Sequence, residues 1–139
     1  MSLAKKVLTL FFAIMPILNL GCGGRDKAGG DPEMQRRKSE LEQIHTIYMM
    51  YLKNNQRPPT KLSDLNQKQF QEVYPAGFQA LQKGEYIAVW GVDINNDSGA
   101  VLAYEKDAPK KGGAVILADG TFKNMSAEEV QAATPKAAK

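Results

Sequence analysis

The chain has 139 residues, 43% of them hydrophobic and 24% charged, with a formal net charge of +3. That balance gives too many apolar residues for a disordered polymer and too few for a chain embedded throughout in a bilayer. The 18 basic residues are scattered rather than clustered on one element, which argues against nucleic acid as a partner.

The first 22 residues read as an export signal. Lys5 and Lys6 form a basic start, and Val7 to Leu20 carry no charge. Those fourteen residues, interrupted by Pro16 and Asn19, fall short of the roughly 20 that a membrane span needs. They suit the apolar region of a signal peptide instead. The segment ends at Cys22, the only cysteine. Leu20-Gly21-Cys22 resembles a bacterial lipobox, in which the thiol is acylated before cleavage makes it residue one. A stray free thiol is uncommon in an oxidising compartment. Residues 1–21 are therefore expected to be a lipoprotein signal peptide, Cys22 the lipid-attachment site, and the cell envelope the location. Removing residues 1–21 takes away two basic residues and no acid, leaving a mature chain of net charge +1.

Residues 22–33 are Gly-rich and polar, as a flexible tether would be. Asp31-Pro32-Glu33 signals a helix entry. A helix is expected from Pro32 to Asn54, with Leu41, Ile44, Ile47, Tyr48, Tyr51 and Leu52 forming one apolar stripe. Its early part, "MQRRKSELEQ", is nearly all polar and is expected to project as a solvated arm. Asn54-Asn55 can close the helix in a left-handed turn, and Pro58-Pro59 forbids continuation.

Residues 60–83 read as short helices, with Ser63 or Asp64 as a turn or cap and a break at Pro75-Ala76-Gly77. From Glu85 the pattern becomes extended. Residues 85–92 predict a strand, 93–99 a turn, 100–105 a second strand and 106–113 a loop carrying Pro109. Residues 114–118 predict a third strand. Asp119-Gly120 predicts a two-residue hairpin into a fourth, and Ser126 with Glu129 a capping box opening a last helix. Residues 131–139 are expected to be a disordered tail. The expected fold is one α+β domain over residues 34–130: a long amphipathic helix packed in two layers on an antiparallel sheet of about four strands.

Two stretches resemble a known family. "ELEQIHTIYMMYLKNNQRPPTKLSDL" is similar to the helix that opens pilin-like proteins of planctomycetes, with Leu41, Gln43, Tyr51, Arg57, Pro58 and Pro59 as the matching residues. "GGAVILADGTFKNMS" is similar to that family's closing hairpin. The resemblance implies a domain related to type II secretion pseudopilins, engaged in protein contacts with secretion or surface machinery. Two departures stand beside it. The family's histidine ten places before the Asp-Gly is replaced by Pro109. No long apolar helix follows Cys22, so the resemblance implies a pilin-like head on a lipid anchor rather than a filament subunit.

Candidate chemistry is sparse. His45, the only histidine, falls within the helix stripe and reads as a core-edge residue with a local hydrogen bond. The serines sit at caps or turns, and Glu128-Glu129 face a helix N-terminus, where negative charge is favourable without any function. No catalytic set and no obligatory cofactor is expected. One loop offers a metal candidate: Asp93, Asn95 and Asp97 alternate as in the opening of a calcium site, and some major pseudopilins bind calcium in their sheet region. The competing reading is a plain turn. Tyr86 and Trp90 alternate with Ala88 and are expected to share one strand face. Gly112-Gly113 precedes a strand rather than following one, which does not suit a phosphate loop.

Overall fold

The computed structural model describes residues 30–134. Cys22, the expected signal peptide, most of the expected tether and residues 135–139 lie outside them. Among the described residues no helix is long and apolar enough to cross a membrane.

Helix α1 runs Pro32–Asn55. Asp31 caps it, its carboxylate accepting the Glu33 amide at 3.1 Å, and Pro32 fills a first-turn position where its missing N–H costs nothing. The left-handed closing residue is Gln56, with φ 55°, rather than the Asn54-Asn55 pair. Asn55 stays helical because its side-chain amide donates to Tyr51 O at 2.9 Å. Leu41, Ile44, Ile47, Tyr48 and Tyr51 are all buried.

The polar start of α1 is not a solvated arm. Glu40, at 9% exposure, lies on the same stripe and accepts the Tyr86 hydroxyl at 2.8 Å. Arg36 forks onto both oxygens of Glu40, at 2.8 and 2.9 Å, and also reaches Glu33 at 2.7 Å. Arg37 reaches across to Glu105 at 3.3 Å. These contacts hold the first turns against the ends of two strands.

A 3₁₀ turn (Leu62–Leu65) follows, then α2 (Lys68–Val73) and α3 (Pro75–Gln82). Asp64 reaches back to the Thr60 amide at 2.8 Å. The break falls at Tyr74, because Pro75 opens α3 instead of interrupting it, and Gly77 lies inside that helix. Gly77 marks the closest approach of α3 to α1. A Cβ there would stand 2.6 Å from Gln43 Cβ and 3.0 Å from Glu40 O.

The sheet is a meander of β1 (Tyr86–Ala88), β2 (Val101–Glu105), β3 (Gly113–Leu117) and β4 (Phe122–Met125), all antiparallel and in sequence order. A bulge lies between Val101 and Ala103. Strand β1 is shorter than the expected 85–92. Its pairing ends with Val89 N donating to Leu102 O at 2.8 Å, and Gly91 then turns away to donate to Pro59 O at 2.9 Å. Helix α4 (Ala108–Lys111) occupies the expected loop, with Pro109 at a first-turn position that a helix tolerates. Gly112 ends it at φ 78°, where a Cβ would meet Met125 O at 2.8 Å.

The closing hairpin has a three-residue loop, Ala118 to Gly120, rather than two. Gly120 N donates to Leu117 O at 2.9 Å and Leu117 N to Thr121 O at 3.0 Å, with Gly120 at φ 85°. Helix α5 (Ala127–Ala133) carries the expected capping box: Glu129 N donates to Ser126 Oγ at 3.2 Å, and Ser126 N to the Glu129 carboxylate at 2.7 Å. It extends through residues 131–133, which were expected in the tail.

The result is α+β with five α-helices and a four-stranded antiparallel sheet. The main core lies between α1, α3 and one sheet face, with Leu102, Ala114 and Ile116 facing Ile44 and Tyr48. A second cluster covers part of the other face, where Val130 and Ala108 pack on Val101 and Val115. The two expected layers therefore gain a partial third, because α5 has one buried apolar residue, Val130, to bring back to the sheet.

Several carboxyls are held below their ordinary range. Hydrogen bonds from Arg36 and Arg37 bring Glu33 down to about 2. Asp64, Asp119 and Glu129 shift the same way through the amides of Thr60, Thr121 and Ser126. A carboxyl whose folded-state pKa is lowered stabilises the fold above its unfolded value and loses that effect as pH falls. The melting temperature is therefore expected to fall between pH 4.5 and about 2, and Glu33→Gln to flatten part of the fall. Circular dichroism melts across that range provide the check; identical profiles for the two proteins would remove Glu33 from the account.

Candidate functional site

The loop joining β1 to β2 carries the polar residues singled out as metal candidates. Asp93 organises the turn. One carboxylate oxygen accepts the Asn95 amide at 3.1 Å and the other the Asn96 side-chain amide at 2.5 Å. The Asp93 carbonyl accepts from Asn96 N at 3.1 Å and Asp97 N at 2.9 Å. This is the ordinary chemistry of an Asx turn. It does not converge the three candidates. Asn95 lines a hollow of about 400 Å³ beside the last turns of α1, with Met49, Met50, Leu52, Lys53 and Gln56. Asp93 and Asp97 line a different hollow, of about 510 Å³, on the other side of the loop. Among the described residues no group of three His, Cys, Asp or Glu side chains is placed to hold a metal.

The second hollow has walls of mixed character, apolar and polar. Val89, Trp90, Val92, Ala100 and Val101 come from the end of β1 and the start of β2, and Ala132, Ala133 and Thr134 from the end of α5. Tyr86 and Ala88 face the main core, buried at 4% and 7% exposure. Trp90 lies beyond the strand, where Gly91 has begun to turn; it is half-buried, packing on the core while lining the hollow. Strand alternation groups these residues, but the shortness of β1 separates their roles.

His45 does sit at the edge of the core, and its hydrogen bond is long-range in sequence. Its Nε2 donates to Ala118 O at 2.9 Å, and the ring lies against Gly120, whose added Cβ would be 3.3 Å from Cε1. The histidine thus fastens the middle of α1 to the closing hairpin. Glu128 and Glu129 occupy the first turn of α5. At the other end of the molecule, Lys83, Glu85, Glu105, Lys106, Asp107 and Lys111 border a polar hollow of about 320 Å³ with both signs of charge interspersed.

The Glu40–Tyr86–Arg36 network escapes a reading by residue type, yet it had a sequence signal. Glu40 stands four places before Ile44, on the helix stripe, and an acid there needs a buried partner. Burial, reinforced by the neighbouring Glu40 carboxylate, raises the Tyr86 hydroxyl well above its ordinary value and keeps it a donor. Glu105 has a comparable second role, accepting the Ala114 amide at 2.7 Å where β3 begins.

No protein-family model matches the chain, and no curated protein or solved structure matches it.

Proposed function

We propose that this chain is an exported bacterial lipoprotein, anchored through Cys22, whose pseudopilin-like domain makes protein contacts at the cell envelope and performs no catalysis. The observation that supports it most is the route of the chain into the fold. Helix α1 begins at Pro32, ten residues after Cys22, and its first turns are tied to β1 and β2 by Glu40, Arg37 and their partners. The chain thus enters the domain at one end of a helix about 36 Å long, with the loop at 93–99 and its two hollows at the other. A tethered domain of this kind would leave that loop end free for a partner. Each acyl methylene contributes about 0.8 kcal/mol of membrane affinity, so two chains hold stably where one does not. The ionisable side chains that looked chemical are engaged in architecture: His45 on the hairpin, Glu129 in a cap, Asp93 in a turn.

Intact-mass and peptide mass spectrometry of protein extracted from native membranes tests the reading. The expected mature chain starts at Cys22 and carries a diacylglyceryl group on its sulfur. A mature N-terminus elsewhere, or a free Cys22 thiol, overturns the anchor and the localisation together.

A further inference from the structure

The hollow beside Trp90 has a charge character that its walls alone do not require. Its lining mixes polar and apolar surface, and among the described residues the ionisable ones that border it are two acids, Asp93 and Asp97, with no Lys, Arg or His. Asp93 is committed to its turn. Asp97 differs. Its backbone N–H and C=O hold the loop, to Asp93 O at 2.9 Å and Ala100 N at 3.2 Å. Among the described residues its side-chain carboxylate has neither a hydrogen bond nor an ion pair. An indole, valines and, among the described residues, acids without a cation complement one kind of side chain: a long apolar stem ending in a positive charge.

We propose that this hollow receives a lysine or arginine side chain projecting from an extended segment of a partner protein. The stem lies along Val89, Val92 and Val101, Trp90 packs against it, and Asp97 with Asp93 takes the charged end. A volume of about 510 Å³ suits one such side chain with parts of its neighbours. The hollow lies where β1 ends, β2 begins and α5 finishes, the end of the domain opposite the start of α1. It lies at the end of the domain away from Pro32, where the chain enters α1, and its acids do not suit an anionic headgroup, which favours a protein segment over a lipid headgroup. The inference deepens the protein-contact role and rests on it. The mass of the mature N-terminus bears on the anchor and does not touch this test.

Trp90 is the only tryptophan in the chain, so its fluorescence reports on the hollow directly. The full chain in neutral detergent is titrated with an acetylated, amidated peptide Ala-Ala-Lys-Ala-Ala, and separately with the same peptide carrying glutamine in place of lysine. The lysine peptide is expected to give a saturable change in Trp90 emission and the glutamine peptide none. Asp97→Asn should weaken binding about tenfold, and raising salt from about 0.05 to 0.5 M should weaken it in the unaltered protein. The salt arm stands even if the variant misfolds. No saturable change, an equal response to the glutamine peptide, or salt-independent binding overturns the proposal, as does a folded Asp97→Asn protein with unchanged affinity. Binding that appears only after removal of residues 135–139 also overturns it, because the occupant is then the chain's own Lys136 or Lys139.

Discussion

Phe70→Ala is expected to lower the unfolding free energy by about 3–5 kcal/mol, the usual range for deleting a fully buried aromatic ring. Phe70 has no exposure and is the one buried residue of α2, so the ring is that helix's whole hold on the core. The domain around it is small. With a total stability on the order of 5–15 kcal/mol, the loss leaves a marginal fold. At roughly 4–8 °C per kcal/mol for a domain of this size, the melting temperature should drop by about 12–40 °C. A second effect should be local. Six residues are too few to form a helix unaided, so without its anchor α2 should fray. Amide exchange across residues 68–73 should then accelerate beyond the acceleration seen in α1. A drop of only a few degrees would mean that Phe70 is less enclosed than described.

Gly77→Val should destabilise by about 2–3 kcal/mol through overpacking rather than through lost contacts. Intrinsic propensity points the other way, since glycine is a poorer helix former than valine by a few tenths of a kcal/mol. The contact geometry decides the sign. The added Cβ would meet Gln43 Cβ at 2.6 Å and Ile44 N at 3.0 Å, and the second of these is backbone that cannot swing aside. The helices must part. Doing so also strains the bond from Gly77 N to the Gln43 side chain at 3.0 Å. Gly84→Ala provides the contrast: nothing lies within 4 Å of its added Cβ, so its cost comes from the positive φ of 69° alone, about 1–2 kcal/mol. Denaturant unfolding of both variants separates the mechanisms. A Gly77→Val protein as stable as the parent would contradict the close approach of α1 and α3.

The elements legible in the sequence are those whose chemistry is local. Asp31-Pro32 opens α1, Ser126 and Glu129 close a capping box, and Asp119-Gly120 turns a hairpin, because each signal acts within a few residues of itself. The failures are long-range. Where α1 starts being buried depends on Tyr86 and Glu105, 46 and 68 positions from Glu40 and Arg37, which no window on the helix contains. Strand β1 stops early because Gly91 pairs with Pro59 instead of continuing along β2. The third layer depends on whether Val130 finds Val115 across the sheet. The candidate site shows the same division. Alternating Asp93, Asn95 and Asp97 were visible as a pattern, and so was the turn they make; which hollow each residue lines depends on α1 and α5 and was not. Cys22, read from the signal before it, lies outside the described residues.

The sequential order of the sheet has a kinetic consequence. Each strand pairs with its immediate successor, so every pairing is local in sequence and can form early. Helix α1 gains α3 as an early neighbour, but the rest of its apolar stripe is covered by β2 and β3, and those strands begin only at Val101 and Gly113. In a chain that emerges N-terminus first, the helix is complete long before the sheet part of its cover exists. The interval between Asn55 and Leu117 is thus the vulnerable stretch of its folding, during which Ile44, Ile47 and Tyr48 are available to the wrong partner.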